Sequence, residues 1–366
     1  MGESGLRIAQ LAPTYERVPP ATYGGTELVV GLITEELVRR GHQVTLYASG
    51  DSETAAELRS ITSRAVRYGE VVDGVRHAEY FQLVNAQTCF VDAAKGEFDI
   101  VHNHAGIEGL VLAASSSTPV LTTNHNPYVP MTKPVWDAYP WAHNSLSAAS
   151  AATFPDAGAV APILHGIDVA TFPFGERPAG DLLFLGRFSP EKGAVRAIDA
   201  ARRAGRRLVL AGKVDAVDAT HFAEVIEPQI DGDQIRYVGE ADASEKRQLL
   251  ADARALLFPI EWDEPFGLVM VEALATGTPV IGFRRASVPE VVEHGRTGYV
   301  VDGIDGMVEA IRRIGEIDRA ACRRSAEERF TVRRMVDDVE SMYRSVLSRT
   351  DLPTPPPVVE PAAPVA

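Results

Sequence analysis

At 366 residues, with 45% hydrophobic and 23% charged residues, the chain has the composition of a soluble globular protein and the length of two domains. Thirty-six Lys and Arg against 50 Asp and Glu leave a formal charge of −14, which disfavours nucleic acid and anionic lipid as bulk partners. Cys89 and Cys322 form no CxxC pair, Met1–Gln10 has no signal-peptide pattern, and no apolar run reaches the ~18 residues that span a bilayer, so a soluble cytoplasmic protein without a disulfide scaffold is expected.

In chain order, Leu6–Ala12 predicts a strand ended by Pro13. Thr26–Arg40 then spaces Leu28, Val29, Leu32, Ile33 and Leu37 by one, three and four, the pattern of an amphipathic helix. Thr26 is its expected N-cap, and Gly41 closes it. Further strands are expected at Val44–Ala48, Asp99–His102 and Pro119–Thr123, with helices between. A second series follows Pro162–Gly166, with strands at Asp181–Leu185, Arg207–Ala211, Ile235–Val238, Ala255–Phe258 and Pro279–Gly282. Its helices include Ala194–Ala204, Ser244–Asp252 and Leu268–Ala275, and a final helix is expected over Val332–Leu347. Strand–helix alternation means parallel pairing through right-handed crossovers, hence two doubly wound α/β units in tandem. The expected domains are residues 1–165, residues 166–330, a closing helix over 331–350, and a Pro-rich disordered tail over 351–366.

In open α/β sheets, ligands bind beyond the carboxyl ends of the strands, and several segments there carry chemistry. Tyr23-Gly24-Gly25-Thr26-Glu27 joins the first strand to the first helix, where paired glycines admit a ligand close to the backbone. Gly186-Arg187-Phe188-Ser189-Pro190-Glu191-Lys192-Gly193 puts two cations at a strand-to-helix turn, a pattern suited to a diphosphate. Glu264-Pro265-Phe266-Gly267-Leu268 leads into a helix that carries Glu272. Its two carboxylates can accept from two polyol groups while the helix N-terminus favours phosphate. His125, within Thr123-Asn124-His125-Asn126-Pro127, is a candidate cleft residue. His102 and His104 are expected on opposite faces of their strand, and with no HExxH in the chain no metal site is expected. Asp231-Gly232-Asp233 precedes a strand, at the wrong end for a ligand, and is taken as a turn. Neither GxGxxG nor a P-loop is present, which disfavours a nicotinamide oxidoreductase.

Together these segments resemble the retaining glycosyltransferases of family 4, over roughly residues 6–347. The most specific elements are Glu-x7-Glu at Glu264 and Glu272 and Gly-Arg-x4-Lys-Gly at Arg187 and Lys192. The resemblance implies a GT-B fold: two Rossmann-like domains facing a central cleft, with the C-terminal helix crossing back to the N-domain. It implies that Arg187 and Lys192 bind the donor diphosphate, that Glu264 contacts the transferred sugar, and that Glu272 contacts the ribose. It also implies that Gly24 and Gly25 flank the diphosphate from the other domain, with His125 near the sugar. The chain departs from the family at His165-Gly166-Ile167-Asp168, where relatives usually read Asn-Gly-Ile-Asp, and at Pro259-Ile260, where they read Pro-Ser.

The expected activity is therefore transfer of a hexose from a nucleoside-diphosphate sugar, with UDP favoured by the family, to a soluble hydroxyl acceptor. No cofactor or metal is expected, the catalytic residues being His125, Glu264, Arg187 and Lys192, and retention by front-face attack is expected. The donor site would also draw on Pro265, Phe266, Gly267 and Leu268. Rival readings are a GT-B-type sugar-nucleotide epimerase and a non-catalytic sugar-nucleotide binding protein. Acceptor-binding loops are expected at Tyr15–Tyr23, Ser52–Gly69 and Asn126–Trp141, where Tyr128, Trp136, Tyr139 and Trp141 are available to stack on a sugar or aglycone.

Overall fold

The computed structural model describes residues 5–348 apart from 23, 67–70, 73–74, 77, 140, 157–158 and 177–179. Tyr23 and the Pro-rich stretch 351–366 lie outside the described residues. Six strands build the first sheet: β1 (Arg7–Leu11), β2 (Gln43–Tyr47), β3 (Glu57–Arg59), β4 (Ile100–Asn103), β5 (Val120–Thr123) and β6 (Ala142–Asn144). Their order is β3-β2-β1-β4-β5-β6, and every pairing is parallel. A second parallel sheet repeats the plan with β7 (Leu182–Leu185), β8 (Leu208–Ala211), β9 (Ile235–Tyr237), β10 (Ala255–Phe258), β11 (Val280–Phe283) and β12 (Gly298–Val301), ordered β9-β8-β7-β10-β11-β12. Helices cover parallel strands on both faces, which is why segments such as Leu208–Ala211 and Ala255–Phe258 are continuous apolar runs, buried at every residue. Each sheet reverses its winding beside its first strand, between β1 and β4 and between β7 and β10, and so opens two crevices at carboxyl ends.

The expected first helix is present as α1 (Gly25–Arg39), with one correction. Gly24 is its N-cap and no side chain caps its end, so Thr26 sits inside the first turn instead of closing it. The cause is the glycine turn, whose φ of +152° at Gly24 brings the chain into the helix two residues early. Helices α2 (Ala78–Ala94) and α3 (Gly106–Ala113) pack together beside the first sheet. In the second half, α4 (Ala243–Asp252) opens on a reciprocal cap between Asp242 and Glu245, and α5 (Leu268–Ala275) follows β10.

The last helix, α6 (Val332–Leu347), follows the second sheet in sequence yet packs into the first half. Its buried Met335, Val336, Val339, Tyr343 and Val346, spaced by one, three and four, join Ile8, Val29, Ile33, Leu37, Ile100 and Leu121 in one apolar cluster. Polar contacts lock it there. Arg40 Nη1 donates to Asp337 and Glu340 at 2.7 and 2.9 Å. His42 Nε2 also contacts Glu340, at 2.9 Å. The chain thus crosses between halves twice, and the crossings pair: Ile167 N–H donates to the Phe330 carbonyl at 2.9 Å and Val332 N–H to the Ile167 carbonyl at 3.3 Å. Gly166 is required by that approach, because a Cβ on it would stand 2.2 Å from the Thr331 carbonyl oxygen. Gly166→Ala should therefore force the crossings apart and lower stability by about 1–3 kcal/mol, read as a lower urea midpoint. An unchanged midpoint would mean that the two segments separate freely.

Candidate active site

Strand ends from both sheets converge on one cleft. From the first half come the Gly24–Gly25 turn after β1, His104 after β4 and His125 after β5. From the second come Arg187 and Lys192 after β7 and the Glu264–Leu268 loop after β10. The halves touch at this level: a Cβ on Gly25 would lie 3.5 Å from Leu268 Cδ1, and Ser147 Oγ donates to the Pro265 carbonyl at 2.8 Å. Beside that bond, both Glu290 carboxylate oxygens accept from the backbone amides of Ala148 and Ala149 at 2.8 Å, so a side chain of the second half caps a short helix of the first.

On the second-half wall, Lys192 Nζ donates to Glu264 Oε2 at 2.5 Å, and Trp262 Nε1 donates to the same oxygen at 2.9 Å. The ammonium also lies 4.4 Å from the Trp262 ring centroid, a cation–π contact. Glu272, buried in α5, accepts from Lys246 Nζ of α4 at 2.5 Å. Arg187 Nη1 lies 3.8 Å from Asp215 Oδ2, while Lys213 pairs with the other oxygen of Asp215 at 2.7 Å. Gly267 starts α5 at φ +78°, in the left-handed region that favours glycine. The amides of Phe266 and Gly267, just before the helix, have no acceptor among the described residues and are free for a ligand. Phe266 itself is buried against His165 and Phe330, anchoring the loop.

On the first-half wall the histidines are clustered. His102 and His104 have ring centroids 3.9 Å apart, contrary to the expectation of opposite faces. Alternate residues of a strand share a face, so the pair belongs together. His104 Nδ1 is 2.9 Å from His125 Nε2, and His125 stacks at 5.3 Å on His165. Burial pushes the His102 and His125 rings down to about 3 and holds His104 and His165 well below the usual range, so all four are neutral near pH 7. Among the described residues, no group of three His, Cys, Asp or Glu side chains is arranged to hold a metal ion.

Of the expected site residues, contacts join Lys192 to Glu264, Gly25 to Leu268 and, through His165, His125 to Phe266, while Arg187 and Glu272 meet other partners, and four such partners were not legible. Lys246, Trp262, Lys213 and Asp215 carry no motif, and only the fold sets them beside Glu272, Glu264 and Arg187. His165, the departure from the usual Asn, fills the gap between His125 and Phe266. Asp231 is a turn, its Oδ1 accepting from the amides of Asp233 and Ile235 at 2.9 Å. Between the halves lies a cavity of about 650 Å³, lined by Pro127, Tyr128, Pro130, Ser150 and Thr153 on one side and Asp263 and Ala286 on the other. The expected acceptor loop Asn126–Trp141 contributes to it through Tyr128. Trp136, Tyr139 and Trp141 do not, being buried in the core under α3. Residues 67–69 of the loop expected at Ser52–Gly69 lie outside the described residues.

Residues 176–329 match the family model described as glycosyl transferases group 1, and residues 23–157 match the one described as glycosyltransferase family 4. The glycogen synthase of Mycobacterium tuberculosis is 34% identical over 195 residues, covering 48% of this chain and 45% of that protein. The chain therefore spans about half the length of that relative. The phosphatidyl-myo-inositol mannosyltransferase of Mycolicibacterium smegmatis is 26% identical over 345 residues, covering 86% of each. Among solved structures, HepE of Anabaena in complex with UDP and glucose superposes with a TM-score of 0.70 at 19% identity, covering 93% of this chain and all of that one. This likeness is one of fold.

Glu27, in the first turn of α1, is a carboxylate that no motif marks as unusual. It is buried, and a Cβ on Gly24 would approach its Oε2 to 3.1 Å. Burial pushes its carboxyl up to about 7 from the usual 4.5. A raised carboxyl contributes stability that is complete below its unfolded-state value and lost as pH rises through the native one. Relative to Glu27→Gln, the native chain should lose on the order of 3 kcal/mol at most between pH 4.5 and pH 8. Parallel pH–stability curves for the two proteins, by urea unfolding, would show that Glu27 ionises freely.

Proposed function

The chain belongs to glycosyltransferase family 4, and we propose that it transfers a hexose from a nucleoside-diphosphate sugar, a UDP-hexose foremost, to a hydroxyl acceptor with retention of configuration and without a metal ion. The observation that carries this reading is the placement of Arg187 and Lys192 in the turn that follows β7, with Lys192 bonded to Glu264 of the loop whose Phe266 and Gly267 amides have no acceptor among the described residues. Preorganised cations and amides stabilise a leaving diphosphate as a metal would, at no cost of reorganisation during the reaction. The UDP and glucose in the HepE complex support a UDP-linked donor.

In this reading the diphosphate lies on Arg187, Lys192 and the two amides. Glu264 accepts from a hydroxyl of the transferred sugar, while Glu272 exchanges Lys246 for the ribose. A covalent sugar–enzyme route needs a carboxylate on the sugar face opposite the leaving group. Glu264 and Glu272 both stand on the donor side, and the ring neighbours of His125 are His104 and His165. The acceptor hydroxyl therefore attacks the anomeric carbon from the face that phosphate leaves. The C–O bond to phosphate breaks, and the departing phosphate oxygen takes the hydroxyl proton. Closure of the halves around the cavity excludes water.

Incubating the chain with an α-linked UDP-hexose and acceptor in EDTA should release UDP in proportion to transfer and give an α-linked product by proton NMR. A β-linked product refutes retention, loss of activity restored by magnesium refutes metal independence, and UDP-sugar isomerisation without an acceptor would favour an epimerase. In the same assay Arg187→Ala should cost about 2–5 kcal/mol in kcat/KM. A loss under tenfold would place its side chain in solvent.

The acceptor is proposed to be a soluble saccharide or small molecule, because a chain at −14 is repelled by anionic lipid. One observation favours a lipid-borne acceptor instead: Tyr80, Leu83, Val84 and Val91 of α2 and Val111 of α3 are exposed on adjoining helices. Co-sedimentation with vesicles decides between them. No binding to neutral or anionic vesicles at physiological salt is expected, and retention on either would overturn the soluble acceptor.

A further inference from the structure

A continuous series of hydrogen bonds, buried up to His104, runs from β6 to His125, and with the Asn144 and Gln10 amides oriented as in the structure its members admit one arrangement of protons. Asn144 fixes the start: its Nδ2 donates to the Ser145 carbonyl at 3.3 Å, so its Oδ1 faces Thr123. The Thr123 hydroxyl gives its single proton to that oxygen at 2.8 Å and can only accept from His102 Nε2, 2.7 Å away. A neutral His102 protonated at Nε2 has a bare Nδ1, which must take the Tyr343 hydroxyl proton across 2.7 Å. The Tyr343 oxygen then accepts from Gln10 Nε2 at 2.9 Å, which turns Gln10 Oε1 toward His104 Nε2 at 3.0 Å. His104 is thus protonated at Nε2 and bare at Nδ1. Facing that bare nitrogen at 2.9 Å is His125 Nε2, which must carry the proton. Gln10, His102, Tyr343 and Asn144 are all buried, and burial keeps the three rings neutral, so water and ring protonation are not available to break the order.

We infer that Tyr343 of the returning helix and Gln10 of β1 are positioning residues that hold His125 as its Nε2–H tautomer, leaving Nδ1 as the only nitrogen that can meet the donor sugar. His125 would then serve as an acceptor for a sugar hydroxyl and not as a donor to it. This assignment rests on the reading of His125 as a sugar-side residue, but its test does not need turnover.

Nitrogen-15 spectra of the histidine-labelled full chain report each tautomer directly, with His125 identified by the signals lost in His125→Asn. The native protein should show His125 in a single form, with a protonated Nε2 and a bare Nδ1. Tyr343→Phe removes one hydroxyl, and Gln10→Met removes the amide while keeping the length of the side chain. Either should release the order and leave His125 a mixture of tautomers, whereas a role for these residues in packing alone would leave it single. An Nδ1–H form in the native chain overturns the inference, as does a single unchanged form in both variants. Failure to turn over any nucleotide sugar would count against the proposed activity, while the spectra decide the tautomer on their own.

Discussion

The fold depends on the last helix of the chain being core to its first half. Met335, Val336, Val339, Tyr343 and Val346 fill the apolar layer between α1 and the first sheet, so the first half has no complete core until α6 is in place. The chain is thereby closed on itself, and the cleft between the sheets is bounded by two paired crossings instead of one flexible linker. It also brings Tyr343 from the far end of the sequence into the polar row that ends at the cleft.

The cleft itself holds few charges that are not already matched. Lys192 faces Glu264, Lys246 faces Glu272, and Asp215 lies between Lys213 and Arg187. Such pairs cost desolvation and return only part of it, so they add little to stability while fixing where each charge stands. The opposite wall reaches the same end by neutrality. Four histidines kept uncharged by burial present ring edges and one ordered set of protons, with no field to repel a phosphate or attract one.

Much of this was legible in the sequence, and what was not has identifiable reasons. The strands that are buried on both faces read as unbroken apolar runs, and α5 and α6 begin and end at the residues expected for them. Arg187, Lys192, Glu264 and Glu272 stand out in the sequence because each belongs to a short motif in the turn or helix that follows a strand. Their pairings were not legible, because Lys192 and Glu264 are 72 residues apart, and Lys246 and Glu272 26 apart, with no pattern linking them. Thr26 was misplaced by cap propensity, which does not register that a glycine turn can start a helix two residues earlier. The His102 and His104 pair was separated by an error about alternation, not by any ambiguity in the residues. Trp136, Tyr139 and Trp141 looked available to a ligand because aromatic content alone does not distinguish a stacking platform from a core.

The bond between Lys192 and Glu264 has a consequence for what the cleft can admit. A ligand that draws the ammonium away also strips the carboxylate of its cation and leaves it the Trp262 Nε1 bond alone, and a partly buried anion so under-matched is costly. Pyrophosphate alone would satisfy the lysine and strand the glutamate. A free sugar would offer hydroxyls to the glutamate but nothing to replace it at the lysine. Only a molecule with an anionic group and a hydroxyl-bearing group joined at the right separation repairs both ends of the bond it breaks. On the proposed reading of the site, the ion pair works as a two-key lock: each half of the donor is disfavoured when it arrives by itself, and the two are accepted together.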